Sequence, residues 1–375
     1  MNIMPDVTFH PFEIAFCGFS NSGKTTLISR LVSLFSESYS VGYYKHGCHR
    51  FDIDREGKDS FVVRQSGARA VMVSDPEKHA LISTGSSDLF LEKTGLLHVD
   101  FLLVEGLKEL PLPKLVLIDH DHKILDLLAN KTLKNVIALV TADPASIPDT
   151  YGFPVFHRDR IEDIAAYILA FFHSTVTRRP LFGLVLAGGK SERMGEDKAL
   201  LAYHTQVQIQ HTATMLLKQC KEVYLSCRSD QQSSYVKYGI PLMLDGYLDI
   251  GPLGGLLSAQ QRFPDASWLV TACDLPFLDH SLISELTAER NPFSFATAYR
   301  HADRKPEPLC TLYEPKSRLP LLLRHATGNN SLRSFLEDSP IHYLSVKDPR
   351  YLHNINTPEE RKQVIKSLST RGKTQ

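Results

Sequence analysis

The stretch from Leu184 to Leu201, LVLAGGKSERMGEDKALL, holds residue types suited to gripping a polyphosphate. An apolar run, Leu184-Val185-Leu186-Ala187, ends in Gly188-Gly189 and a polar loop with Lys190, Arg193 and Lys198. Glycine has no Cβ, so backbone N–H groups beside it can come close to phosphate oxygens. With the cations added, the loop reads as a triphosphate clamp. A lone Gly-Gly is most simply a surface turn with solvated charges, but the ordered set Gly-Gly, Arg, Met-Gly and Lys is far more restrictive. A second loop lies earlier in the chain. The strand-like run Glu13-Ile14-Ala15-Phe16-Cys17 enters Gly18-Phe19-Ser20-Asn21-Ser22-Gly23-Lys24-Thr25-Thr26, and helix-compatible apolar spacing follows from Leu27 to Phe35. Strand, GxxxxGKT and helix in that order make a Walker A loop. Its backbone cradles nucleotide phosphates, Lys24 bridges the β and γ phosphates, and the Thr25 hydroxyl ligates Mg²⁺.

Acidic residues at the ends of apolar runs extend both sites. Val99 to Gly106 is a strand-like run ending in Glu105, the shape of a Walker B element, whose carboxylate would hold a magnesium-bound water or orient the attacking one. In the second half, Ser267 to Ala272 leads into Cys273-Asp274-Leu275-Pro276-Phe277. An acid at the carboxyl end of a central strand is where an α/β sheet places a metal ligand. Asp274 ahead of Leu-Pro could equally cap a helix. Pro241 to Leu244 leads to Asp245, followed by Gly251-Pro252-Leu253-Gly254-Gly255, a glycine turn opening a helix. Between the Walker elements, Val41 to Ser60 carries His46, Cys48, His49, Asp52 and Asp54. Their spacing is not that of a closed zinc site. Phosphate and Mg²⁺ contacts, or a surface for a second ligand, suit such a loop better. Asp143, after the run Asn135 to Val140, is a candidate reader of a guanine edge, although the full NKxD pattern is absent.

The elements that must position these residues are those of a two-domain α/β chain. At 375 residues, with formal charges that cancel, the chain exceeds one small core. Its first half is mildly acidic and its second mildly basic, which is no footprint of nucleic-acid binding. The six cysteines, at 17, 48, 220, 227, 273 and 310, form no CxxC pair, so reduced thiols are expected. The N-terminal stretch has neither a signal-like apolar core nor a span, and a cytoplasmic protein that engages no membrane and no nucleic acid is expected. Runs at 114–118 and 135–140 read as further parallel strands. A final helix over 161–172 and a polar stretch ending in Pro180 suggest domains at 1–173 and 181–375 joined by a linker at 174–180. The fold expected is a P-loop NTPase-like, mostly parallel sheet followed by a Rossmann-like nucleotidyltransferase sheet.

The segments GFSNSGKTTL, KHGCHRFDIDREGKDS, QSGA and VDFLLVEGLK closely resemble the MobB family of GTP-binding proteins associated with molybdenum cofactor maturation. That resemblance covers most of residues 10–172. It assigns GTP binding to Gly18, Gly23, Lys24, Thr25 and Glu105, with Asn21, Ser22 and Thr26 in the same loop. LVLAGGKSERMGEDKALL, LDGYLDIGPLGG, VTACDLPFL, PEPLCTLY and HNINTP, in that order, resemble the MobA family of molybdenum cofactor guanylyltransferases over 181 to about 365. This implies that the backbone of Leu186, Ala187, Gly188 and Gly189 cradles the nucleotide and that Arg193 and Lys198 take the triphosphate. It also implies that Asp245 sits by the nucleoside and Asp274 ligates Mg²⁺, with Pro308, Asn354 and Asn356 toward the pterin.

The implied activity is transfer of GMP from GTP to Mo-molybdopterin with release of pyrophosphate, alongside an N-terminal GTP-binding adaptor with at most weak GTPase activity. Expected partners are Mo-molybdopterin, GTP, molybdoenzymes, other cofactor-biosynthesis proteins and a second copy of the chain through the N-terminal half. Two alternatives stay open at this level: a transferase using CTP, and a nucleotide-gated carrier handing the cofactor to apoenzymes.

Overall fold

The run Glu13–Cys17 is buried at every position, as a strand covered on both faces must be. It forms the middle of the first sheet in a computed structural model that describes residues 9–46, 53–84, 94–189, 197–203, 206–355 and 357–371. The chain divides into two units, Met1–Ile168 and Leu169–Gln375.

In unit 1 the strands are β1 (Glu13–Cys17), β2 (Val41–Lys45), β3 (Ala70–Ser74), β4 (His79–Ser83), β5 (Phe101–Glu105), β6 (Lys114–Leu117), β7 (Val136–Thr141) and β8 (Val155–His157). Strands β3 and β4 form a separate antiparallel hairpin. The others form one sheet in the order β2-β5-β1-β6-β7-β8, and each described pairing in it is parallel. Every loop leaving a carboxyl end therefore emerges on the same edge, where an open α/β sheet binds ligands. Phe16 is in register with Glu105, so the loops after β1 and β5 start side by side.

Helix α1 (Lys24–Phe35) buries Leu27, Ile28, Leu31 and Phe35, one face of a helical period, and Gly23 at its N-cap adopts φ 89°. Two shorter helices, α2 (Asp59–Gln65) and α3 (Ile124–Ala129), precede α4 (Ile161–Thr177). Helix α4 runs past the expected end at 172, and the division between the units lies within it. Residues 173–177 contain no glycine or proline, and the Ser174, Thr175 and Thr177 hydroxyls bond carbonyls three residues back, so the helix continues to Thr177, three residues ahead of Pro180.

Unit 2 holds β9 (Leu181–Leu186), β10 (Glu222–Cys227), β11 (Leu242–Leu244), β12 (Ser267–Ala272), β13 (Ala296–Arg300), β14 (Pro306–Tyr313) and β15 (Ile341–Ser345). Their order is β11-β10-β9-β12-β14-β13-β15, with β14 antiparallel to both neighbours and the other pairings parallel. Phe182, Tyr224, Phe263 and Trp268 pack ring against ring with centroids 5.2–5.7 Å apart in five of their pairings. This cluster anchors the early part of β9, β10 and β12 and leaves their carboxyl ends to carry loops. The helices are α5 (Gln208–Leu216), α6 (Gln232–Tyr235), α7 (Pro252–Arg262), α8 (His280–Ala288), α9 (Arg318–Ala326), α10 (Leu332–Glu337) and α11 (Pro358–Arg371). No described helix is long and apolar enough to cross a membrane.

The loop after β9 leads into a 3₁₀ turn, Lys198–Leu200, and α5 begins at Gln208. The Asp197 side chain accepts from Ala199 N at 3.0 Å and closes that turn early. One local expectation changes: Gly254 and Gly255 lie inside the first turns of α7 rather than before it. A Cβ on Gly255 would stand 2.3 Å from Ser226 Oγ and 2.7 Å from Leu186 Cδ2. Glycine is needed there so that α7 can press against β9 and β10.

Two candidate nucleotide sites

In unit 1 the Walker loop turns from β1 into α1. Lys24 Nζ donates to the carbonyls of Gly18 at 3.2 Å and Phe19 at 2.8 Å. Thr25 Oγ1 donates to both Glu105 oxygens, at 3.1 and 3.0 Å. Glu105 also accepts from Tyr43 Oη at 2.7 Å and pairs with Lys45 Nζ at 3.1 Å. Burial pushes the Glu105 carboxyl up, but the bonds from Tyr43, Lys45 and Thr25 outweigh it and hold it below the ordinary carboxylate range. A charged carboxylate beside a hydroxyl is a fitting oxygen pair for Mg²⁺, which binds through one or two protein ligands plus phosphates and water. Ser22 Oγ is buried with no hydrogen-bond partner among the described residues.

Asn21 takes φ 63° and is exposed on the loop, and Thr26 is exposed in the first turn of α1. Asp143 is exposed beyond β7. His46 and Asp54 are described, but Cys48, His49 and Asp52 lie outside the described residues. Asp54 is engaged locally by Ser60 at 2.8 Å and Arg64 at 3.3 Å. Among the described residues no three His, Cys, Asp or Glu side chains are grouped to hold a metal. Tyr43 and Lys45 at Glu105 escaped the sequence reading, and so did Arg158: a Cβ on Gly23 would sit 3.9 Å from Arg158 Nη1. Arg158 follows β8, and only pairing across the sheet could reveal it.

In unit 2, four loops meet at the carboxyl ends of β9, β10, β11 and β12 around a cavity of about 590 Å³. Leu186, Ala187, Gly188 and Gly189 line it, together with Lys198, Asp245 and Asp274. Arg193 lies outside the described residues. Lys198 Nζ stands 3.7 Å from Asp274 Oδ2, and both side chains are 18% exposed. Asp274 does not cap a helix: the N-cap of α8 is Asp279, whose side chain accepts from Leu282 N at 3.1 Å. Asp274 Oδ1 is instead buried without a hydrogen-bond partner among the described residues. Burial raises the Asp274 pKa, with Lys198 opposing. An orphaned, buried carboxylate oxygen facing a cavity fits a divalent cation.

Asp245 is also raised by burial, opposed by the Ser226 hydrogen bond and the Arg228 charge. Its Oδ1 accepts from Ser226 Oγ at 2.7 Å. Arg228 Nη1 donates to Gly188 O at 2.7 Å while Nε and Nη2 grip Asp230 at 3.0 and 2.9 Å. Ser226 and Arg228 were missed from sequence. Their place at the end of an apolar strand was a signal of the kind that marked Asp274. Pro308 is buried on β14, and its neighbour Leu309 reaches the cavity. Asn354 is half-buried, Ile355 N bonds Asp274 O at 3.1 Å, and Asn356 lies outside the described residues.

A stability prediction follows from Asp274. A carboxyl whose folded pKa is raised favours the fold while protonated and disfavours it as pH rises through the folded pKa. In EDTA at neutral pH, Asp274→Asn should therefore raise the melting temperature of unit 2 by on the order of 2 °C. Calorimetry at neutral pH and at pH 4 checks it, because the gain should shrink at the lower pH.

Residues 13–142 match the family described as molybdopterin guanine dinucleotide synthesis protein B, and residues 183–344 match the MobA-like NTP transferase domain. The chain is 36% identical over 198 residues to a molybdenum cofactor biosynthesis bifunctional protein of Synechocystis, covering 50% of this chain and 55% of that protein. It thus spans little more than half the length of that relative. It is 30% identical over 165 residues to a molybdopterin-guanine dinucleotide biosynthesis adapter protein of Haemophilus influenzae, covering 43% of this chain and 89% of that one. A molybdenum cofactor guanylyltransferase of Shewanella piezotolerans is 26% identical over 191 residues, covering 50% and 92%.

Proposed function

We propose a function for a chain that belongs to the MobB family, molybdopterin guanine dinucleotide synthesis protein B, through residues 13–142 and carries a MobA-like NTP transferase domain over residues 183–344. Unit 2 is a molybdenum cofactor guanylyltransferase that joins GMP from GTP to Mo-molybdopterin and releases pyrophosphate. Unit 1 is an adaptor that binds GTP at its Walker loop and hydrolyses it weakly or not at all. The observation that carries the reading is the convergence of Gly188, Lys198, Asp245 and Asp274 on one cavity. The names of the relatives supply guanine and pterin.

A phosphate monoester has a second pKa of about 6, so the terminal phosphate of molybdopterin is largely dianionic at neutral pH. One of its oxygens forms a bond to the α-phosphorus of GTP. The bond from that phosphorus to the α–β bridging oxygen breaks, and its electron pair leaves with pyrophosphate. No protein nucleophile or base is needed. The barrier is repulsion between anions, which Lys198, Arg193 and the backbone N–H groups of 186–189 offset. Asp245 holds the nucleoside end. Asp274 would hold Mg²⁺, which neutralises phosphate charge when bound. In unit 1, Thr25 and Glu105 would hold a second Mg²⁺ beside phosphates cradled by residues 18–26.

To this proposal belong a boundary at 174–180, a cytoplasmic setting, pairing of two copies through unit 1, and hand-over of product to molybdoenzymes. The test offers molybdenum-loaded molybdopterin and Mg²⁺ with GTP, CTP or ATP in turn and identifies products by mass. The expected result is guanine dinucleotide and pyrophosphate. A cytosine dinucleotide, or no dinucleotide from any of the three, would overturn it.

A further inference from the structure

The motif Glu105-Gly106-Leu107-Lys108 is used above only for its glutamate. Directly after β5 the chain makes two consecutive left-handed residues, Gly106 at φ 103° and Leu107 at φ 54°. A left-handed branched residue such as leucine is uncommon and strained, and such strain gathers at functional sites. The turn is fixed to the Walker strand: Gly106 N donates to Phe16 O at 3.2 Å, and Cys17 Sγ donates to Gly106 O at 3.2 Å. Its outcome is that Lys108 Nζ lies 4.2 Å from the centre of the Phe19 ring. Lys24 Nζ bonds the carbonyl of that same residue.

Two ammonium groups from different elements thus converge on one residue of the phosphate loop. Lys45 is tied to Glu105 at 3.1 Å, so its charge is matched, whereas Lys24 and Lys108 stand as two ammonium groups at one residue of the phosphate loop. Bringing like charges together is unfavourable by itself, and a polyanion is the ligand that reverses the sign.

We propose that Lys108 is a specificity-determining residue of the unit 1 site, contacting the terminal phosphate of a nucleoside triphosphate so that the site distinguishes GTP from GDP. The inference rests on the reading of unit 1 as a GTP site. Lys108 reaches the loop at its first residues, beside Lys24, whose role lies at the β and γ phosphates. A diphosphate would satisfy Lys24 and the loop N–H groups but leave Lys108 on Phe19. The Glu105-to-Lys108 turn would then report the nucleotide's phosphate count to the surface of unit 1.

The test is calorimetric titration of the full chain with GTP and with GDP in Mg²⁺. The Lys24→Ala chain gives the contribution of unit 2, to be subtracted. Loss of one charge-assisted contact should weaken GTP binding to Lys108→Met by about 10- to 100-fold. GDP binding should stay within about twofold of the parent, and Lys108→Arg should recover most of the GTP affinity. Retained GDP affinity also shows that the variant is folded. Equal losses for both nucleotides, or no loss for either, would overturn the role of Lys108 and leave the GTP site standing. If the parent, after subtraction, binds neither nucleotide, the reading of unit 1 as a GTP site fails and this inference falls with it.

Discussion

Asp274→Ala and Lys198→Ala are each expected to slow dinucleotide formation by about 10²- to 10³-fold at saturating substrates, the usual effect of losing one preorganised electrostatic contributor. The two should not add fully. Their charged ends stand 3.7 Å apart, and groups this close act as a unit. The reason for expecting a rate effect, rather than a binding effect alone, is where the charge changes. In the transition state negative charge grows on the departing pyrophosphate, while the nucleotide as a whole was already polyanionic. Lys198 sits in a 3₁₀ turn closed by Asp197. Asp197 in turn accepts from the Tyr235 hydroxyl at 2.6 Å, so the lysine is held by a preset loop. Single-turnover measurement with unchanged circular dichroism is the check. Normal rates in both variants would remove these residues from the chemistry.

The same Asp274 that is expected to limit stability at neutral pH is the one to which the proposed reaction assigns the metal. A buried carboxylate with one oxygen unpartnered among the described residues is unfavourable for the fold. Such a group is kept where a ligand makes use of it. The opposing signs expected for Asp274→Asn, a firmer fold and a slower reaction, can be read on one protein preparation. They set Asp274 apart from a merely structural acid, whose removal would lower both.

What could be read from sequence were features whose physics is local. GxxxxGKT between a strand and a helix, or an acid after an apolar run, states its own structural context, and the sheets place Lys24, Thr25 and Glu105 together as that context required. Whether Asp274 caps a helix was not local, since it depended on where α8 begins, and the capping of α8 by Asp279 removes that role without deciding the other. Ser226 and Arg228 shared the strand-end position that marked Asp274, but their partners, Asp245 and Gly188, lie on loops after other strands, and Arg158 likewise gains its meaning from a loop distant in sequence. The Gly254-Gly255 pair was read as a turn because its cause, the approach of α7 to Ser226 and Leu186, lies distant in sequence. Arg193 remains an assignment from sequence, outside the described residues.

Gly188→Ala tests how closely the clamp is built. A Cβ there would lie 2.7 Å from Asp245 Oδ2, nearer than non-bonded atoms tolerate. The backbone around Gly188 cannot yield freely, because its carbonyl holds Arg228 at 2.7 Å and Ala187 N is bonded to Ser226 O at 2.9 Å. Asp245 cannot turn without stretching its 2.7 Å bond from Ser226. Either movement displaces a group on the nucleoside side by a large fraction of an ångström, and misplacement of about 1 Å typically costs about 10²-fold. We therefore expect kcat/KM for GTP to fall by about 10- to 100-fold, mainly through KM because the chemistry at Asp274 is left in place. A double-mutant cycle separates this cause from general damage to the loop. In an Asp245→Ala chain the colliding carboxylate is gone, so adding Gly188→Ala should cost far less than it does in the parent. If the two substitutions instead lower kcat/KM by independent factors, the close approach of Gly188 to Asp245 is not what shapes the nucleoside end of the clamp.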